Sequence, residues 1–134
     1  MLSWLGKKKH PPIRSLVGEG MVVNGNLNFA EGLRVDGQVH GDVLASGGGR
    51  SILVISENAQ VHGKVKADHV IINGLVHGPV WCTELLELQP KARIQGDIRY
   101  EVLEMHPGAL VEGELKPLKS VEKPALKLAA SNDA

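Results

Sequence analysis

The sequence is poor in aromatic residues, with two tryptophans, one tyrosine and one phenylalanine in 134 positions. Whatever core it builds must come from Val, Leu and Ile packed in thin layers, an unusual recipe for a helical bundle. Cysteine is almost absent: Cys82 stands alone, so no internal disulfide is available and the chain suits a reducing cytoplasm. Nothing near Cys82 in the sequence marks it as an activated nucleophile. Net charge is missing as well. Fifteen basic residues against fifteen acidic ones give a formal charge of zero, which removes the broad basic footprint of a nucleic-acid binder.

What the chain does have is glycine, 16 residues of it, placed in a pattern. The motif of an apolar residue, a polar one, glycine, a polar one and an apolar residue occurs at Val35-Asp-Gly37-Gln-Val39, Val61-His-Gly63-Lys-Val65, Val76-His-Gly78-Pro-Val80, Ile94-Gln-Gly96-Asp-Ile98 and Val111-Glu-Gly113-Glu-Leu115. From Gly63 onward the glycines are spaced by 15, 18 and 17 residues; the first gap, from Gly37, is 26 and reads as one repeat plus a loop of about nine residues containing "ASGGGRS". Upstream segments match too. Residues 51–65, 84–98 and 101–115 align without a gap, placing Leu53, Leu86 and Leu103 in one column, Ile55, Leu88 and Met105 in another, and Val61, Ile94 and Val111 in a third. The lead-in "LNFAEGLRVDGQV" is expected to follow, with Leu27 and Phe29 in the apolar columns.

Alternation within each unit argues for strands with one dry face and one wet face, the wet face holding His62, Lys64, Glu87, Gln95, Asp97, Glu104, Glu112 and Glu114. Units of about 17 residues stacked column on column make a β-solenoid, each strand pairing with its copy about 4.8 Å along the axis. A sandwich of hairpins would show evenly spaced strands but has no reason for column identity at a constant period. Helical solenoids need longer repeats with helical spacing, which is absent. Glycine is expected at a corner of inward parity, where a side chain would collide with the narrow core.

These glycine-punctuated strands, the "EGLRVDGQVHGDV" opening and the "ARIQGDIRYEVLEMHPGALVEGEL" close look like the bactofilins, bacterial polymer-forming cytoskeletal proteins. The resemblance implies an all-β, single-domain, right-handed and roughly triangular parallel β-helix of about six coils, with disordered tails, assembling end to end into filaments without bound nucleotide. The expected organisation is a flexible N-terminal tail over 1–17, the β-helix over 18–118 and a disordered C-terminal tail over 119–134. No cofactor is implied. In the family such filaments serve cell shape, appendage formation or the positioning of cell-wall enzymes, so envelope proteins are expected partners.

Filament assembly also has a reason independent of any family. A solenoid ends in an open coil with unpaired backbone groups over an exposed apolar core, and must be capped or joined. Here the first coil brings Val22, Val23, Leu27 and Phe29, and the last brings Leu110, Leu115 and Leu118. Neither end shows a cap helix, so these residues are the candidate polymer interface.

The chain starts "MLSWLGKKKHPPIRSL". Met1, Leu2, Trp4 and Leu5 are far fewer than the roughly 20 apolar residues that span a bilayer, and the charges follow the apolar group instead of preceding it as in a secretory signal. Followed by Lys7, Lys8 and Lys9, they read as an interfacial anchor for an anionic leaflet, and some bactofilins have similar N-termini. The expected location is therefore cytoplasmic, peripheral to the inner face of the cytoplasmic membrane.

Catalytic constellations are thin. His62 and His77 share an outward column but lack a third metal ligand, "SGGGRS" lacks the Lys-Ser/Thr of a phosphate-binding loop, and Glu87 above Glu104 reads as a solvated face. A β-helix enzyme of the hexapeptide acyltransferase type is the alternative class. Its stricter six-residue repeat is not found, and no catalytic, cofactor or metal residue is assigned.

Overall fold

Short runs of Val, Ile and Leu alternating with polar residues form sixteen strands in the computed structural model, which describes residues 11–119. Coil 1 is β1 (Ile13–Val17), β2 (Val22–Asn24) and β3 (Leu27–Phe29), and coil 2 is β4 (Gly32–Val35), β5 (Gln38–His40) and β6 (Val43–Ala45). Coil 3 comprises β7 (Ile52–Ile55), β8 (Gln60–His62) and the first part of β9 (Val65–Ile72). The rest of β9 opens coil 4, which continues through β10 (Leu75–His77) into β11 (Val80–Leu88). Coil 5 takes the end of β11, β12 (Arg93–Gln95) and β13 (Ile98–Tyr100); coil 6 is β14 (Val102–Met105), β15 (Leu110–Glu112) and β16 (Leu115–Pro117).

Every strand pairing is parallel and joins one coil to the next, giving a β-solenoid of six turns with three faces. Each face contributes at least one apolar column. On the first face Val17, Val35, Ile55, Ile72, Leu88 and Met105 lie in register. The second carries Val23, Val39, Val61, Val76, Ile94 and Val111, and the third Leu27, Val43, Val65, Val80, Ile98 and Leu115. Pairing like with like lets branched side chains nest at a constant spacing, so a core with Phe29 as its one buried aromatic among the described residues still closes.

The first two coils differ from the expected alignment. "VDGQVHGDV" contains the glycine motif twice, overlapping, and the structure selects the second copy: Val39, not Val35, pairs with Val61. Leu27 and Phe29 accordingly stack on Val43 and Ala45, while Leu33 and Val35 are the partners of Leu53 and Ile55. The insertion before Ile52 is thus shorter than the spacing from Gly37 suggested. Its far end is fixed, since Ser51 N–H donates to Asp68 Oδ2 at 3.0 Å and Arg50 Nε to Glu84 Oε2 at 3.2 Å. The ladder also begins earlier than residue 18. Residues 13–17, assigned from sequence to the tail, pair with β4; "IRSLV" lacks clean alternation and follows two prolines, so its strand character comes from the edge it adds to.

Gly25, Gly41, Gly63, Gly78, Gly96 and Gly113 form one column, and its cause differs from a clash with the core. A Cβ on Gly96 would lie 2.4 Å from the carbonyl oxygen of Gly78, and one on Gly78 would lie 2.2 Å from that of Gly63. The obstruction is the backbone of the preceding coil. Both residues also hold φ near +150° (152° and 154°), where side chains are disfavoured. The residue after each glycine serves the same corner. Asn26 Oδ1 accepts from Asp42 N–H at 2.8 Å, Asp42 Oδ1 from Lys64 N–H at 2.9 Å and Asp97 Oδ1 from Glu114 N–H at 3.0 Å. Lys64 has no acceptor, and the residue above it is Pro79, which has no N–H to satisfy.

Candidate functional site

Within each apolar column, exposure depends on position along the axis. Leu88 is fully buried and Met105, one coil on, is 45% exposed; Ile98 is fully buried and Leu115 is 39% exposed. Among the described residues the large exposed apolar side chains are Ile13, Leu16, Met21 and Val22 in coil 1 and Val102, Met105, Leu110 and Leu115 in coil 6. The four coils between them contribute none. At the first end the core opens into a depression of about 600 Å³ reaching Val17, Val23, Leu27, Phe29 and Leu33. Among the described residues, strands β1, β2 and β3 have a neighbour on one side only, as do β14, β15 and β16, so both ends combine free backbone edges with an apolar floor.

Of the residues expected at these ends from sequence, Val22, Leu110 and Leu115 are exposed, Val23, Leu27 and Leu118 are half-buried, and Phe29 is buried at the floor of the depression. Sequence reasoning missed Ile13, Leu16, Met21, Val102 and Met105. Met105 had been placed correctly in its column, and its position in the final coil was the available signal. Met1, Leu2, Trp4, Leu5, Lys7, Lys8 and Lys9 lie outside the described residues.

The sides of the solenoid carry polar columns. His40, His62 and His77 form a column on the second face, with ring centroids 5.0 Å apart for each neighbouring pair, His40 parallel to His62 and His77 edge-on to it. His40 joins the pair read from sequence because of the corrected register. Burial, then the neighbouring His77 and His40, hold the His62 pKa below its ordinary value. Glu87 lies beside Glu104 in register, with His106 Nε2 3.3 Å from the Glu87 carboxylate. These three have ligand atoms within 4.8 Å of one another and are the described group able to hold a cation, although two of them are exposed. Cys82 is fully buried, its thiol donates to the Asp68 carbonyl at 3.1 Å, and burial pushes its pKa up to about 12. A thiol so protonated and enclosed is not a nucleophile.

Residues 15–116 match the family model described as "Bactofilin: Polymer-forming cytoskeletal". The chain belongs to the bactofilin family. Bactofilin BacP of Myxococcus xanthus is 30% identical over 101 residues, covering 75% of this chain and 40% of the relative, so this bactofilin spans less than half the length of that protein. A chain from a cryo-EM reconstruction of Thermus thermophilus bactofilin double helical filaments superposes with a TM-score of 0.71 at 26% identity, covering 78% of this bactofilin and 99% of the solved chain. The family is one of structural, filament-forming cytoskeletal proteins.

Proposed function

We propose that this bactofilin is a nucleotide-independent scaffold polymer, joined through the two apolar ends of its solenoid and held at the inner face of the cytoplasmic membrane. The observation that carries end-to-end assembly is the confinement of exposed large apolar side chains to coils 1 and 6. Joining coils 6 and 1 of neighbouring copies, or like ends to like, pairs free strand edges and removes these side chains from water at once. Each fully buried Leu, Val or Met contributes about 1.5–3 kcal/mol, offset by the cost of association. None of this draws on nucleotide hydrolysis.

Met1, Leu2, Trp4 and Leu5 with Lys7, Lys8 and Lys9 supply the membrane contact in this reading. One such segment is weak, whereas a filament presents many at high effective concentration, so attachment follows polymerisation by avidity. A filament so attached is a surface on which cell-wall enzymes and other envelope proteins are localised. Purified protein in nucleotide-free buffer is expected to scatter light and form long filaments by electron microscopy. A strict requirement for ATP or GTP would overturn nucleotide independence, and compact trimers would favour the alternative, an enzyme of the hexapeptide acyltransferase type.

A further inference from the structure

The outward column of the third face runs Asn28, Leu44, Lys66, Trp81, Arg99 and Lys116 in register. Trp81 stands half-buried at its centre. Three cations converge on its ring: Arg99 Cζ lies 5.1 Å from the centroid, Lys64 Nζ 5.7 Å and Lys66 Nζ 5.8 Å. Among the described residues none of these three makes an ion pair with a carboxylate. The nearby acids are otherwise engaged, Asp97 Oδ1 by the Glu114 N–H at 3.0 Å and Glu114 by Lys116 at 3.2 Å. Three like charges thus surround one indole ring with no ion-paired carboxylate among the described residues.

Such a cluster selects an anion, and its form selects the kind. The site is a surface depression of about 250 Å³ on the strand face, edged by Pro79, Asp97 and Lys116. A flat strand face with a half-exposed indole among lysines and an arginine matches the headgroup layer of a bilayer, where tryptophan and basic side chains both concentrate. We propose that this face, through Lys64, Lys66, Trp81 and Arg99, docks on an anionic phospholipid surface. The filament then lies on the membrane with its third face down. This rests on the membrane-bound reading above but assigns a second contact, separate from the N-terminal segment.

The two tryptophans of the chain, Trp4 and Trp81, allow the contacts to be read separately. In full-length Trp4→Phe protein, Trp81 emission is expected to shift to the blue and be quenched by brominated lipid on adding phosphatidylglycerol vesicles, with no change on phosphatidylcholine vesicles. The charge-reversed K64E/K66E protein should lose about tenfold in vesicle affinity while keeping its melting temperature and its filaments; the milder K64Q/K66Q protein should lose less. Trp81→Phe protein reports Trp4 by the same assay. A responding Trp4 with a silent Trp81 overturns the docking face and leaves the anchor standing. A responding Trp81 with a silent Trp4 supports the face and removes the anchor. A Trp81 shift on polymerisation without lipid, or an equal shift with inorganic phosphate alone, overturns the proposal in favour of a copy-to-copy contact or a free-anion site.

Discussion

The same columns of side chains behave in two ways in this molecule. In the middle coils Val39, Val61 and Val76 are shut off from water by a coil above and a coil below, whereas Val23 and Val111, the same position in coils 1 and 6, are covered on one side only among the described residues. The middle and the ends therefore do not differ in the type of residue at this position. They differ in whether a neighbour exists. Repetition makes the core and, where it stops, leaves a surface already shaped to continue it.

The largest expected effect comes from placing a charge in the closed part of a column. Leu86 is fully buried between Val70 and Leu103, and Leu86→Asp strands an unpaired carboxylate there, costing more than about 5 kcal/mol, comparable with the whole stability of a small domain. Circular dichroism is expected to show an unfolded chain. Gln95→Lys, outward on β12, should melt as the parent does, and equal melts for the two variants would show the inward and outward assignment to be wrong.

Next comes the glycine column, which tests the middle by its backbone instead of its side chains. Gly96→Ala places a methyl group against the Gly78 carbonyl at a φ of 152°, and about 3 kcal/mol of destabilisation is expected. Gly48→Ala meets nothing within 4 Å and should be neutral or slightly stabilising. Thermal melts of the pair decide whether glycine is demanded by stacking or is merely tolerated in turns.

How much of this was readable beforehand follows from the same contrast. In coils 3, 5 and 6 the corner between the first two faces is four residues long, Ser56 to Ala59, Gln89 to Ala92 and His106 to Ala109, so the repeats align without gaps and their columns are evident. Coils 2 and 4 cut that corner to Asp36-Gly37 and Asn73-Gly74. In coil 2 the shorter corner brings a second glycine close enough to imitate the motif, and only the Val39–Val61 pairing breaks the tie. The Trp81 cluster was not legible, because Lys64, Lys66 and Arg99 meet at the Trp81 ring only once successive coils are stacked. Exposure at the ends was partly legible: an apolar residue in a first or last coil looks like any core residue until the coil count is known.

A charge at an end should separate the two regions. Leu115 is 39% exposed, so Leu115→Arg is expected to change monomer stability by no more than about 1 kcal/mol yet abolish filaments in sedimentation and electron microscopy. Filaments persisting in this variant and in Leu110→Arg would place the assembly contact elsewhere.

The smallest effect is expected from pH, and it acts on the middle alone. His40, His62 and His77 occupy coils 2 to 4, while the same column holds Asn24 in coil 1, Gln95 in coil 5 and Glu112 in coil 6. Burial and the two flanking imidazoles hold His62 below its ordinary value of 6.5, so between its folded pKa and 6.5 the unfolded chain binds more protons than the folded one. Stability is then full above pH 6.5 and declines as the pH falls below it. The assembly-blocked Leu115→Arg protein is the right sample, since polymerisation would otherwise hide the change by mass action. Its melting temperature should be lower at pH 5.5 than at pH 7.5, and His62→Gln should remove part of that drop by taking the central ring out of the column. A pH dependence unchanged by His62→Gln would assign the acid sensitivity to carboxylates and leave the histidine column an ordinary polar ladder.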